Sequence, residues 1–236
     1  MDLEFFKDIK ASRGTAYIVG GYVRDRILGI KNKDIDIEVF GLSEKKFEEL
    51  LKKYGNSKKV GTFKIYLLNN SVEISLNKSS WSKSTNEEVL QESAKRRDLS
   101  INAIYFDPIL EKVYDPINGT KDIQDKVLKY CDKNTFMDDP VRILRVAYFY
   151  GKYNFEVSEQ LKKLIKLNSE KVLEIVGERV GIEFEKILSL KNSSKVFLFL
   201  KEMGVLDKII GVNKNLDKFE KMSTKDKLVL WGVLYK

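Results

Sequence analysis

The sequence predicts an α+β protein. A mixed sheet-and-helix part runs to about residue 130, and an all-helical part follows. Two observations carry this. Up to Tyr114 the apolar residues fall in short alternating runs, the period of half-buried strands, whereas after residue 135 they recur every three or four residues, the period of helices. A third observation sets the scale: 236 residues at 43% hydrophobic supply a core for one large domain or two small ones.

Taken in order, the strands are expected at Ala16–Val19, Asp34–Phe40, Lys58–Val60, Lys64–Leu68, Ser71–Leu76, Ala103–Phe106 and Lys112–Tyr114. Helices are expected at Tyr22–Leu28 and at Ser43–Lys53, the latter opened by Ser43 as N-cap. Asn69-Asn70 separates two alternating runs and reads as a hairpin turn. The polar, unpatterned stretch Asn77–Asn86 reads as a mobile loop. In the helical part, Val141, Leu144, Ala147 and Tyr148 make one apolar face. Leu161, Leu164 and Ile165 make a second, Val180, Phe184 and Ile187 a third, and Phe197, Leu198 and Leu200 continue the pattern.

Composition excludes several chemistries. With no histidine and one cysteine, Cys131, there is no His-based triad, no zinc site and no intrachain disulfide, so acid–base and metal chemistry fall to Asp and Glu. The lone cysteine fits a reducing compartment. No apolar run approaches the roughly 18 residues that span a bilayer, and the N-terminus lacks the basic-then-apolar order of a secretion signal. The expectation is a soluble, cytoplasmic protein without a membrane partner. The net charge is +8. From Lys186 to Lys236 there are 11 Lys against 5 Asp or Glu, so this last fifth carries most of the excess. Such a segment suits a polyanion, although a solvated lysine-rich helix face reads the same way from charge alone.

The chemistry concentrates in Tyr17-Ile-Val-Gly-Gly-Tyr-Val-Arg-Asp25 and Asp34-Ile-Asp-Ile-Glu-Val-Phe40. The first reads as a strand, a tight turn at Gly20-Gly21 and a helix start, whose backbone N–H groups can hold a phosphate. In the second, period two puts Asp34 and Asp36 on one face and Ile35, Ile37 and Val39 on the other. Paired carboxylates beside a phosphate-holding turn make a site for a divalent metal and a nucleoside triphosphate, since magnesium takes one or two protein carboxylates and completes its shell with phosphate oxygens. Either half alone also reads as a plain turn or a solvated strand edge.

In that order and spacing, Gly-Gly-x-Val-Arg-Asp followed by Asp-x-Asp resembles the head domain of the class II tRNA nucleotidyltransferase and poly(A) polymerase family, within the polymerase-β-like nucleotidyltransferases. The resemblance continues through Lys95-Arg-Arg-Asp-Leu-Ser-Ile-Asn-Ala103, similar to the family's Arg-Arg-Asp-Phe-Thr-Ile-Asn-Ala block. There Arg97 can meet triphosphate oxygens and Asp98 can accept from a ribose hydroxyl; a satisfied capping Asp is the other reading. Tyr114-Asp-Pro-Ile-Asn-Gly-Thr-Lys-Asp122 resembles an Asp-Pro-x-Gly-Gly turn with Asn118 in the first glycine's place, a structural role. Gly61-Thr-Phe63 resembles a Gly-x-x-Phe-Gly turn, one residue shorter. Asp138-Asp-Pro-Val-Arg-Ile-Leu-Arg145 resembles the nucleotide-choosing Glu-Asp-x-x-Arg motif, with Asp139 and Arg142 expected to share a helix face. Together they offer the acceptor and donor that match the amine and ring nitrogen of cytosine or adenine, and oppose guanine and uracil. An ordinary helix ion pair reads the same. Arg145 matches a phosphate-binding arginine, while the next arginine of that series is Tyr148 here. Glu178-Arg-Val-Gly-Ile-Glu183 resembles the neck motif, and Glu178, Arg179 and Glu183 are expected to form a salt-bridged brace behind the nucleotide pocket.

The resemblance implies a catalytic head over 1–130, a nucleotide-selecting neck over 131–190 and a basic RNA-binding body segment over 191–236. It implies two magnesium ions on Asp34 and Asp36, and nucleotide contacts from Gly20, Gly21, Arg24, Arg97, Asp98, Asn102, Asp139, Arg142 and Arg145. Glu73 reads equally as a third acidic ligand or as a solvated strand residue. RNA contacts are expected at Lys191, Lys195 and Lys201. The implied activity is template-independent addition of C and A from CTP and ATP to the 3′ end of tRNA. Poly(A) synthesis and C-only or A-only addition share the same motifs. An RNA-binding pseudoenzyme or a shortened chain is the reading from a different class, against which the joint presence of Asp34, Asp36, Arg97, Asp139 and Arg142 argues.

Overall fold

A computed structural model of the protein describes residues 2–60, 65–69, 72–77 and 86–210. The expected turns at Gly61–Phe63 and Asn69-Asn70, the Asn77–Asn86 loop and the body segment past Ile210 lie wholly or partly outside these residues. The chain divides into two units, Met1–Gln124 and Asp125–Lys236.

The first unit is built on α1 (Leu3–Ala11), β1 (Thr15–Val19), α2 (Gly21–Ile27), β2 (Ile35–Phe40), α3 (Glu44–Leu51), β3 (Ser57–Val60), β4 (Ile65–Leu68), β5 (Val72–Leu76), α4 (Asn86–Lys95), β6 (Tyr105–Asp107), β7 (Lys112–Tyr114) and α5 (Gly119–Gln124). The strands form one mixed sheet in the order β3-β4-β5-β2-β1-β6-β7. Only the β2–β5 pairing is parallel; the others are antiparallel. β2 is therefore held by ladders on both sides. Its Ile37 and Val39 are fully buried, each contributing roughly 1.5–3 kcal/mol. Tyr17 of β1 packs edge-on against Phe40, Tyr105 and Tyr114, with ring centroids 5.5–6.1 Å apart. Ser43 caps α3 as expected, accepting from the Lys46 N–H at 3.4 Å.

Three helices of this unit, α1, α4 and α5, were not among the expected elements. α1 is capped by Asp2 and buries Phe5, Phe6 and Ile9. α4 buries Val89, Leu90, Ser93 and Ala94. Ser100–Asn102 form a 3₁₀ turn, so β6 starts two residues later than expected. At the Asp-Pro turn, Asn118 takes the left-handed conformation (φ 61°) that a glycine would have supplied. Asp115 accepts from the N–H groups of Gly119 (2.7 Å) and Thr120 (2.8 Å). A Cβ on Gly119 would stand 2.2 Å from the Ser100 carbonyl oxygen, which is why a glycine must follow Asn118.

The second unit comprises β8 (Val127–Leu128), α6 (Lys133–Phe136), α7 (Val141–Tyr153), β9 (Glu156–Val157), α8 (Glu159–Leu167), a 3₁₀ stretch at Ser169–Glu174, α9 (Gly177–Leu188), α10 (Ser193–Glu202) and α11 (Leu206–Ile210). β8 pairs with β9 in parallel, which places Val127–Leu128 with the helices. α7 packs against α9 and α10, burying Val141, Ile143, Leu144, Val146 and Ala147. Leu198 departs from the expected apolar face: it is 52% exposed, while Val196, Phe197, Phe199 and Leu200 are buried. Among the described residues no helix is long and apolar enough to cross a membrane.

Candidate active site

The geometry of the first unit's site follows from β2. Asp36 lies in register with Val19, the last residue of β1, and with Glu73 on β5. The chain leaving β1 therefore turns directly beside the Asp36 carboxylate. That turn is Gly20, at φ 77° and ψ −136°, a conformation other residues adopt only under strain. A Cβ there would lie 3.1 Å from Asp36 Oδ2 and 3.4 Å from Arg97 Nη1. A carboxylate, a guanidinium and a bare backbone thus converge on one point. α2 opens immediately after, and no side chain caps its first turn.

Asp34 is exposed and sits just ahead of β2, outside its ladders, with its N–H donating to Asn32 Oδ1 at 2.9 Å. Glu73, although beside Asp36, is exposed. Among the described residues no three Asp, Glu, His or Cys side chains gather closely enough to hold a metal ion.

Arg97 is anchored from below. Its Nη2 donates to Glu38 Oε1 in a close ion pair, and its Nη1 donates to the Asn102 carbonyl at 3.2 Å. The guanidinium carbon lies 5.8 Å from the Tyr105 ring centroid. Burial works against the charge, but Glu38 and Tyr105 outweigh it and raise the Arg97 pKa. Glu38 is itself only 8% exposed, and its Oε2 accepts from Ser93 Oγ at 2.6 Å.

Arg24, Asp98 and Asn102, expected as nucleotide contacts, are joined to one another. Arg24 is 4% exposed; its Nε donates to Asp25 Oδ1 at 2.8 Å and its Nη1 closely to Asn102 Oδ1. Asn102 Nδ2 donates to Asp98 Oδ1 at 2.9 Å, and the same oxygen accepts from the Leu99 N–H at 2.8 Å. This buried chain ties the start of α2 to the 3₁₀ turn that follows Arg97.

In the second unit, the expected shared helix face of Asp139 and Arg142 is corrected. Asp139 lies in the turn before α7, because Pro140 occupies the cap position and the helix itself runs from Val141. Its Oδ2 accepts from Arg179 Nη2 at 2.7 Å and its Oδ1 from the Val141 N–H at 3.3 Å. Arg142 donates from Nη1 to the Thr135 carbonyl at 2.7 Å. The backbone still holds the pair in one turn, since the Arg142 N–H donates to the Asp139 carbonyl at 3.1 Å. Arg145 lies 5.6 Å from the Phe149 ring centroid.

The expected Glu178–Arg179–Glu183 brace is corrected too. Arg179 reaches Asp139, the 5%-exposed Glu183 accepts from Lys186 Nζ at 2.7 Å, and Glu178 is exposed. One turn of helix separates residues 179 and 183, but their side chains find nearer partners on either side. Lys191 and Lys201 are exposed. Lys195 instead donates to Asn154 Oδ1 at 2.7 Å and lies 4.5 Å from the Tyr150 ring centroid.

Residues 16–129 match the family model described as the poly(A) polymerase head domain, and residues 154–216 match the one described as the probable RNA and SrmB-binding site of polymerase A. The chain belongs to the class II tRNA nucleotidyltransferase and poly(A) polymerase family. Within that family it is similar to the CC-adding tRNA nucleotidyltransferase of Shouchella clausii, at 31% identity over 89% of this chain and 54% of that protein. It is also similar to the CCA-adding enzyme of Francisella tularensis, at 34% identity over 84% of this chain and 57% of that one. Its fold matches the Thermotoga maritima CCA-adding enzyme complexed with tRNA, with a TM-score of 0.75 and 28% identity over 89% of this chain and 53% of that one. The chain spans about half the length of the curated relatives it matches.

Reading the sequence missed Glu38 as the anchor of Arg97 and Arg179 as the partner of Asp139. Glu38 did carry a signal: it shares the strand face of Asp34 and Asp36. Arg179 carried none, because its partner is 40 residues away.

Proposed function

We propose that this chain adds C and A nucleotides from CTP and ATP to the 3′ end of tRNA without a template, in the cytoplasm, and that residues 1–130 carry catalysis, 131–190 nucleotide choice and 191–236 RNA contact. The observation that carries this is the convergence of Asp36 Oδ2 and Arg97 Nη1 over Gly20, where no Cβ intervenes. Two hard carboxylates, Asp34 and Asp36, fit a magnesium site that phosphate oxygens complete. Two bound magnesium ions would supply an activated 3′-hydroxyl and a neutralised leaving pyrophosphate. The residues of this chain do the rest by placement. Arg97, held by Glu38, directs its guanidinium beside Asp36, where triphosphate oxygens belong. Arg24, Asp98 and Asn102 keep the Gly20-Gly21 turn and the Arg97 segment in fixed register, so little reorganisation remains when substrate enters.

For base choice, Asp139 supplies the acceptor and Arg142 the donors. Arg179 orients Asp139 without exhausting it, because a carboxylate has about four lone-pair sites. Cytosine and adenine then meet acceptor to amine, whereas guanine and uracil leave mispaired groups that cost about 1–3 kcal/mol each.

The test is incorporation of each of the four NTPs into a tRNA transcript lacking its 3′ CCA, by wild type and by Asp139→Ala and Arg142→Ala. Wild type should use CTP and ATP, and Asp139→Ala should lose discrimination more than turnover. Equal use of all four by wild type would sink the base-reading model. CTP use alone would point to the activity named for the Shouchella clausii relative, and ATP use alone to poly(A) or A-only addition.

A further inference from the structure

Asp34 is the less supported of the two proposed metal carboxylates. β2 begins at Ile35, and the ladders to β1 and β5 reach only Asp36 and Ile35, so strand pairing does not fix residue 34. What does reach it is Asn32. The Asp34 N–H donates to Asn32 Oδ1 at 2.9 Å, and Asn32 Nδ2 donates to Asp25 Oδ2 at 2.8 Å. Asp25 is 2% exposed, and its other oxygen accepts from the buried Arg24 Nε at 2.8 Å. Its backbone carbonyl also accepts from the Ile30 N–H at 2.8 Å, so Asp25 grips the α2–β2 loop twice. Gly21 gives Asn32 its room: a Cβ there would stand 3.3 Å from Asn32 Nδ2.

The chemistry of the position is narrow. One side must accept from a backbone N–H and the other must donate to a carboxylate, and a planar side-chain amide does both. The two partners also fix which way the amide faces, since a carboxylate only accepts and an N–H only donates. An Asn that bonds the N–H two residues on is a common local turn. The second bond, into the buried Asp25–Arg24 pair, is what converts a local turn into an anchor.

We propose that Asn32 is a positioning residue: it ties the exposed Asp34 to the buried Asp25–Arg24 pair and so holds the Asp34 carboxylate beside Asp36, ready for a divalent cation. This rests on the metal reading of Asp34 and Asp36 given above. Residues that orient a metal ligand, when removed, typically lower metal affinity about 10- to 100-fold.

The experiment is a Mn²⁺ titration of the full chain, without RNA or nucleotide, followed by water-proton relaxation for wild type, Asn32→Ala and Asn32→Ser. Asn32→Ala removes both bonds. Asn32→Ser keeps a hydroxyl that can hold the local turn but is too short to reach Asp25. Both variants should bind Mn²⁺ about 10-fold more weakly, while each melts within about 4 °C of wild type. If Asn32→Ala melts early, Asn32→Ser carries the comparison, because it retains the turn. Wild-type affinity in Asn32→Ser would overturn the anchor and leave a simple turn, and wild-type affinity in both would remove Asn32 from the site altogether. Failure of wild type itself to bind Mn²⁺ would instead strike the carboxylate site, and the inference with it.

Discussion

Replacing Glu38 should loosen Arg97 and cost stability at the same time. The Glu38 side chain is 10% exposed and Arg97 is 21% exposed, so the pair is screened far less than a surface bridge. Removing one partner of a fully buried ion pair costs about 3–5 kcal/mol. Arg97 keeps its bond to the Asn102 carbonyl and a fifth of its surface in water, which lowers the expectation for Glu38→Ala to about 2–3 kcal/mol. Glu38→Gln keeps the shape and an acceptor and loses the charge, for about 1.5 kcal/mol. Against a typical total of 5–15 kcal/mol, both variants should remain folded. Urea unfolding followed by circular dichroism gives the losses, and a double-mutant cycle with Arg97→Ala isolates the pair, with an expected coupling of about 1–3 kcal/mol. In the transfer assay both Glu38 variants should raise the NTP KM more than they lower kcat, because the freed guanidinium no longer waits beside Asp36. A Glu38→Ala protein within about 0.5 kcal/mol of wild type, or a double variant whose loss equals the sum of the singles, would refute the anchoring role.

Asp36→Ala should abolish nucleotide addition with little change in urea midpoint, since Asp36 serves charge placement rather than the core; retention of more than a small fraction of the wild-type rate in magnesium would contradict it. Reversing the exposed Lys191 and Lys201 to Glu should flatten the salt dependence of tRNA binding, measured as log affinity against log salt, whereas Lys195, already held by Asn154 and Tyr150, should act mainly through stability. An unchanged slope would make Lys191 and Lys201 a solvated surface. Alkaline pH should destabilise the first unit. Burial raises the phenols of Tyr17, Tyr66 and Tyr105, and burial followed by the Asp8 hydrogen bond pushes Tyr54 up to about 12. The folded state therefore keeps protons that the unfolded chain releases near pH 10, so stability is complete below about pH 10 and declines above it. Tyr54→Phe should shrink the decline between about pH 10 and 12 in melts across that range, and an unaltered curve would remove Tyr54 from the account.

Sequence alone determined the features that depend on local period and local chemistry. Strict alternation from Asp34 to Phe40 predicted the strand, and β2 forms over Ile35–Phe40 with Asp36 opposite the end of β1. Gly20 read as a tight turn and has the φ of 77° that a turn there demands. Asn118 read as a left-handed substitute and is one. The motif order identified the family before any contact was known. The tertiary structure decided what long-range partners decide. α1 and α4 went unnoticed because their apolar residues acquire a face only against the sheet. Glu38 reads as a half-exposed strand acid until Arg97, 59 residues on, and Ser93 close over it. Asp139 and Arg142 have the spacing of a helix pair, but Pro140 delays the helix and Arg179 takes the carboxylate. Asn32 looks like loop filler until Asp25 is seen to be buried beneath it. Period and turn chemistry act over a few residues and are written in the chain. The choice of partner for a charged side chain depends on which groups folding excludes from water, and only the assembled structure makes that choice.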